Sequence, residues 1–211
     1  MRCLRDCPIL YLDFDGVLHP LGEPELDDNF KLLPNPRRFL WLPILEGVLQ
    51  PYKRVRIIVS SDWARIFDDN ALIKLLGPLG PRFVGVVETR AGSRREDITA
   101  DAQKRGLEYW VAIDDDASVK QRREEHFVWC NPATGLSDGA VREKLHERIR
   151  KVSRSAGLSL MTAASERMRL YTKEIEELGL PIDTAWDRMP DVGLEVVDVP
   201  PPPQPWKRKK K

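Results

Sequence analysis

"ILYLDFDGVLHP", residues 9–20, ends an apolar run in two aspartates, Asp13 and Asp15, and follows them with Gly16. Carboxylates this close raise each other's pKa unless a cation or hydrogen bonds offset the repulsion. The spacing points to metal or proton chemistry at the tip of a strand, with a chance surface pair as the competing reading. What decides between them is whether other segments bring matching groups to the same place.

Four further runs have strand character: "RVRIIVSS" at 54–61, "FVGVVET" at 83–89, "YWVAIDDD" at 109–116 and "HFVWCN" at 126–131. Continuous β-rich runs with helical patterns between them indicate an α/β architecture, a mainly parallel sheet covered on both faces. "IFDDNALIKLLG" places Ile66, Leu72, Leu75 and Leu76 on one helical face with Gly77 as its stop. "REDITADAQKRG" starts acidic, ends basic and stops at Gly106, as a crossover helix should. "AVREKLHERIRKV" repeats Val141, Leu145, Ile149 and Val152 at helical spacing and suits a last helix on the sheet, with His146 exposed or capping rather than a ligand.

In an open parallel sheet, ligands bind at the carboxyl ends of the strands. Asp13 and Asp15 end the first strand, Ser60 and Ser61 the second, and Asp114, Asp115 and Asp116 the fourth. Three strands thus deliver polar groups to one edge, and phosphoryl transfer is the chemistry that fits them. One aspartate can attack phosphorus, a second can protonate the leaving oxygen and then deprotonate water, and magnesium can offset their charge. Read singly, Ser60 and Ser61 are equally well plain strand caps, Asp116 suits a helix N-cap, Trp63 suits the core, and His19, close enough after the acidic pair to help bind substrate, suits a turn better in "HP". Asp27, Asp28, Asp68 and Asp69 are assigned to solvent.

The 211 residues suit one domain plus an extension, and a net charge of +1 argues against a uniformly basic nucleic-acid binder. Cys3, Cys7 and Cys130 are too few and too scattered for a zinc site or a disulfide framework, so a reducing cytosol is expected. The N-terminal apolar stretch is too short for a signal-peptide core, and no window approaches a membrane span. We divide the chain into a core domain, 1–152, a C-terminal extension, 153–199, and a tail, 200–211. The extension offers the amphipathic helix "ASERMRLYTKEIEELGLP" and a short strand, "LEVVDV". The tail, "PPPPQPWKRKKK", joins a proline run to like charges and is expected to be disordered. It can meet phosphate backbones or anionic lipid, although most such tails are simply solvated.

"YLDFDGVLHP" resembles the first signature of the haloacid dehalogenase (HAD) superfamily, "IIVSSDW" its second and "VAIDDD" its acidic fourth. More narrowly, these segments with "RREDI" resemble the HAD domain associated with Swiss-army-knife RNA repair proteins, over roughly residues 8–150. The resemblance implies a three-layer Rossmann-like core, magnesium as cofactor, and a phosphohydrolase working through an aspartyl-phosphate. It implies Asp13 as nucleophile and metal ligand, and Asp15 as general acid and base whose backbone carbonyl also reaches the metal. Gly16 permits the turn, Ser60 holds the phosphate with Ser61 as alternative, Asp114 ligates the metal, and Asp115 supports it from beside.

The superfamily usually has a lysine on its third signature, whereas "SRREDI" offers Arg94, then Arg95, with Lys104 more remote. Arginine keeps the charge and can grip phosphate with two donors, but it lacks lysine's compact point charge. No large cap fits after either of the first two signatures; "NPRRFLWLPILEGVLQPY" leaves room only for a loop and one or two helices, with Pro43 breaking the pattern. An uncapped cleft admits the end of a polymer, so the expected substrate is a phosphate on a macromolecule, with nucleic-acid ends ahead of phosphoprotein. The alternative is a HAD domain that binds phosphorylated nucleic acid or protein without turnover. A phosphoacceptor receiver domain fits less well, because its acidic pair is usually adjacent and its acceptor lies on a later strand, where this chain has serines.

Overall fold

The five apolar runs pair as a single sheet in the computed structural model, which describes residues 4–21, 32–88, 92–120 and 125–177. The strands are β1 (Ile9–Leu12), β2 (Arg56–Val59), β3 (Phe83–Val86), β4 (Trp110–Asp114) and β5 (Phe127–Trp129). Every neighbouring pair is parallel, in the order β3-β2-β1-β4-β5. The chain therefore starts in the middle of the sheet, runs outward to β3, then returns past β1 to β4. That reversal puts the switch point, where ligands bind in such sheets, between the ends of β1 and β4.

Burial explains the strand composition. Side chains alternate between faces, and β1 is apolar on both because both are covered. Leu10 and Leu12 join one core cluster, with Leu45, Leu72, Leu145 and Ile149. Ile9 and Tyr11 join the other, with Ile98 and Ala102. The helices α1 (Leu42–Leu49), α2 (Asp69–Leu75) and α4 (Gly139–Glu177) thus feed one layer, and α3 (Arg94–Arg105) feeds the opposite one. The result is a three-layer, Rossmann-like α/β fold with no large cap among the described residues.

α3 is delimited as its sequence suggests. Ser93 and Glu96 form a reciprocal capping box at its start, and Gly106 closes it in the left-handed conformation, φ 62°. Mid-helix, Tyr11 Oη donates to Asp101 Oδ2 at 2.8 Å, and Arg105 Nε donates to the same oxygen at 2.7 Å. Arg105 also donates to Val86 O at 2.8 Å, which ties α3 to β1 and β3 together.

Other boundaries differ from the sequence reading. Pro43 does not break α1 but lies in its first turn, where its missing N–H has no intrahelical partner to lose. Arg82 takes up carbonyls at the far end of α1, donating to Leu49 O at 3.1 Å and to Tyr52 O at 2.6 Å. Ile66 precedes α2 and is 46% exposed, because Asp68 starts that helix by accepting from the Ala71 N–H; Asp68 is a cap as well as a solvated charge. His146 Nε2 lies 3.1 Å from Tyr52 Oη, a packed polar contact rather than a ligand position. The two helical patterns on either side of Ser153 are one uninterrupted helix, α4. The compact unit containing the sheet ends at Leu160, and the described part of the second unit is the remainder of α4, 161–177. "LEVVDV", the basic tail and Asp27 with Asp28 lie outside the described residues, among which no helix is long and apolar enough to cross a membrane.

Candidate active site

The ladder continues one residue beyond β1: Asp13 N–H donates to Ile113 O at 3.2 Å, and Ser60 N–H donates to Leu12 O at 2.9 Å. The chain then turns, with Leu18 N–H donating to Phe14 O at 2.8 Å and Gly16 at φ 67°. Gly16 is required twice over. Its φ lies in the left-handed region, and a Cβ there would overlap the Asp115 carboxylate. A second glycine lies against this turn: a Cβ on Gly135 (φ 43°) would press within 2.6 Å of Gly16 O and into the Trp41 ring. Leu136 N–H donates to Val17 O at 3.1 Å, so the loop after β5 braces the turn after β1.

Oxygens of Asp13, Asp114 and Asp115 all lie within 4.8 Å of one another. Asp13 is 4% exposed and Asp114 is 1% exposed. Burial, opposed by Arg94, by the Phe14 N–H and by the Ser61 hydroxyl, pushes Asp13 up to about 7. Burial and the neighbouring Asp13 raise Asp114 well above the carboxylate range, and burial also raises Asp115. Asp114 Oδ1 accepts the Asp116 N–H at 3.0 Å, while Oδ2 is buried without a hydrogen bond. A buried carboxylate oxygen with no hydrogen bond, faced by the Arg94 charge and lying beside two more carboxylates, belongs to a donor set for a hard divalent cation, so these three residues can hold a metal ion. Asp116 caps the short helix that follows, accepting from Ser118 N–H at 2.8 Å.

Arg94 and Arg95 leave the start of α3 in different directions. Arg94 Nε lies 3.4 Å from Asp114 Oδ2, and its Nη2 lies 3.1 Å from Asp62 Oδ2. Burial works against its charge, but Asp13, Asp114 and Asp62 outweigh that and hold its pKa above the ordinary value. Arg95 lays its guanidinium over the Phe127 ring, 4.8 Å from the centroid. Lys104 pairs with Glu88 on an exposed surface. Of the two serines, Ser61 donates to Asp13 and accepts the Trp63 N–H, while the Ser60 hydroxyl is buried without a hydrogen-bond partner.

Around Asp15 the structure adds Trp63, read from the sequence as core, and His19, read from the sequence as a turn residue ahead of a substrate contact. Trp63 is in the core, 1% exposed, yet its Nε1 donates to Asp15 Oδ2 at 2.7 Å. His19 does occupy a turn, but the turn folds its ring back so that Nε2 lies 3.0 Å from Asp15 Oδ1. Phe39, at φ 54°, packs edge-on to Phe14, His19 and Trp63, with centroids at 5.2, 5.2 and 5.4 Å. A bulky residue in that backbone region is strained and stays there only when its surroundings hold it. The available signals were a histidine four residues after Asp15 and a tryptophan two residues after Ser61.

An acidic cluster with an arginine at the switch point of a parallel sheet defines the class, an α/β protein whose strand ends gather charged groups in one place. The family described as the HAD domain in Swiss Army Knife RNA repair proteins matches residues 9–141, and the chain belongs to that family. The assignment points to the phosphohydrolase superfamily at that level. Comparison with curated proteins and with solved structures gives no match.

Proposed function

We propose that this protein is a magnesium-dependent phosphohydrolase that works through an aspartyl-phosphate on Asp13. The observation that carries the reading is the division of labour between two carboxylates two residues apart. Asp13 belongs to the buried cluster with Asp114 and Asp115, whereas Asp15 is engaged by Trp63 and His19 instead. Different surroundings assign acid and nucleophile to otherwise identical groups.

Asp13, Asp114 and Asp115 would hold the cation, with the Asp15 backbone carbonyl as the further ligand. When bound, magnesium offsets the negative charge of the carboxylates and the phosphate. An Asp13 oxygen bonds to phosphorus as the bond to the leaving oxygen breaks, and the proton on Asp15 goes to that leaving oxygen. Asp15 then takes a proton from the water that attacks the aspartyl-phosphate, which releases phosphate and restores Asp13. Arg94 neutralises charge on the phosphate oxygens, and Ser61 orients Asp13.

The absence of a large cap supports a phosphate carried on a macromolecule. We favour nucleic-acid ends over phosphoprotein on the family description, with the basic tail as an added contact. Phosphate release from an aryl phosphate, with and without magnesium, tests the reaction. Asp13→Asn and Asp15→Asn are expected to abolish it, and turnover surviving Asp13→Asn excludes the covalent route. A screen of 5′- and 3′-phosphorylated oligonucleotides against phosphopeptides tests the substrate class; phosphate-dependent binding without turnover supports a non-hydrolytic domain, its Arg94 tied to Asp62 and Asp114.

A further inference from the structure

Arg94 is the first residue of α3, and two carboxylates from two different strand ends hold its side chain. Its Nη2 donates to Asp62 Oδ2 at 3.1 Å. Its Nε lies 3.4 Å from Asp114 Oδ2, an oxygen that has no hydrogen bond, so that contact attracts the guanidinium without fixing its direction. The directional contact is the one to Asp62. Asp62 opens the one-turn helix Asp62–Arg65 that follows β2, where Ser61 caps by accepting the Trp63 N–H. Buried Trp63 packs against Phe14, Phe39 and Phe67 and anchors that turn, so the Asp62 backbone is fixed although its side chain is 61% exposed.

A guanidinium is a rigid planar fork of N–H donors. Nε and Nη2 share one edge of it, and both carboxylate contacts are made through these two nitrogens. Nη1 takes part in neither contact, so a phosphate oxygen can take it up while Asp62 keeps its hold. A cation on Asp13, Asp114 and Asp115 competes with the Arg94 contact to Asp114, but Asp62 lies outside that set. Arg94 and Asp13 are each the leading opposite charge acting on the other, which sets the guanidinium beside the carboxylate that the proposed reaction phosphorylates.

We infer that Asp62 is a positioning residue, which holds Arg94 by one edge so that the other end of the guanidinium meets the phosphate. The inference rests on Arg94 serving the phosphate in the proposed reaction. An ammonium in the same place would be a point charge without a second edge. Asp62 also carries a negative charge, and a residue present only for that charge would oppose a bound phosphate, so its neutralisation would strengthen binding.

The test is calorimetric titration of the full-length protein with inorganic phosphate in magnesium. Asp62→Asn and Asp62→Ala remove the same charge, but asparagine keeps an acceptor oxygen for Arg94 and alanine does not. Asp62→Ala is expected to bind phosphate about 3- to 10-fold more weakly than Asp62→Asn, the cost of ordering a loose arginine on binding. Melting temperatures of both should stay near that of the wild type, because an exposed ion pair adds little to stability. In an Arg94→Met background the difference between the two should vanish.

Equal affinities in Asp62→Ala and Asp62→Asn, or a difference that persists without Arg94, overturn the inference, because Asp62 then acts through its charge or through its own turn. Should Asp62→Ala fail to fold, Asp62→Ser, whose hydroxyl stops short of Arg94, replaces it in the same comparison. If the wild type does not bind phosphate, or Arg94→Met binds it as the wild type does, the proposed phosphate site is wrong and the inference falls with it. In the first pair of outcomes Arg94→Met still loses affinity, so the two cases are distinguishable.

Discussion

Replacing Asp13 by asparagine is expected to abolish catalysis and, in the absence of divalent cation, to stabilise the fold. Asparagine has nearly the shape of a protonated carboxyl group and can still accept from the Phe14 N–H and the Ser61 hydroxyl that serve Asp13. Burial lifts Asp13 from an ordinary 3.8 to about 7. That is on the order of 4 kcal/mol of preference for the neutral form in the folded state. The sign follows from linkage: the folded protein binds this proton more tightly than the unfolded chain. The penalty for ionising Asp13 is thus absent below 3.8, grows across the window up to about 7, and is complete above it. At pH 8 with chelator, Asp13→Asn should gain ~1–4 kcal/mol, a melting temperature higher by roughly 3–12 °C. At pH 5 only about a third of that gain should remain. Magnesium reverses the comparison, because it stabilises the ionised wild type and finds one carboxylate fewer in the variant. Calorimetric melting at pH 5 to 8, with and without magnesium, measures all of this. A variant less stable than wild type at pH 8 in chelator, or a gain independent of pH, refutes the reasoning.

Two further substitutions test the frame around the site. Gly16→Ala forces a Cβ into the Asp115 carboxylate at a left-handed φ. It should cost about 1–3 kcal/mol and weaken magnesium-dependent stabilisation, both readable by thermal shift; an undiminished magnesium response would mean that Asp115 is not a ligand. Tyr11→Phe removes the donor to Asp101 but leaves the Arg105 contact in place. It should lower stability by about 1 kcal/mol, seen as a lower urea midpoint at constant slope, and an unchanged midpoint would show that the Tyr11 hydroxyl contributes nothing.

The strands were legible because both faces of the sheet are covered, so β1 and β4 carry unbroken apolar runs and end visibly in polar residues. Asp13 and Asp114 could be matched before any coordinates, since strand ends of a parallel sheet share one edge. Ile66 misled because its apolar character fits the α2 pattern while the Asp68 cap starts the helix after it. The surroundings of Asp15 were harder to see. His19 reaches it only because the turn doubles back, and Trp63 reaches it across 48 positions of sequence through a short helix that aims the indole inward. Arg94 and Arg95 are neighbours of the same type, and only the helix phase at the start of α3 sends one to the carboxylates and the other to Phe127. Periodicity reports which side of an element is apolar; it does not report which polar atom meets which.

The wedge of Gly135 beneath Gly16 bears on the order in which the protein matures. Asp13 and Asp15 are made before the loop that buttresses their turn, which lies more than a hundred residues further along the chain. A nascent or truncated chain ending before that loop carries Asp13 and Asp15 but not the scaffold that clamps them. The turn that carries Asp13 and Asp15 therefore reaches its final form only once the loop after β5 has been made.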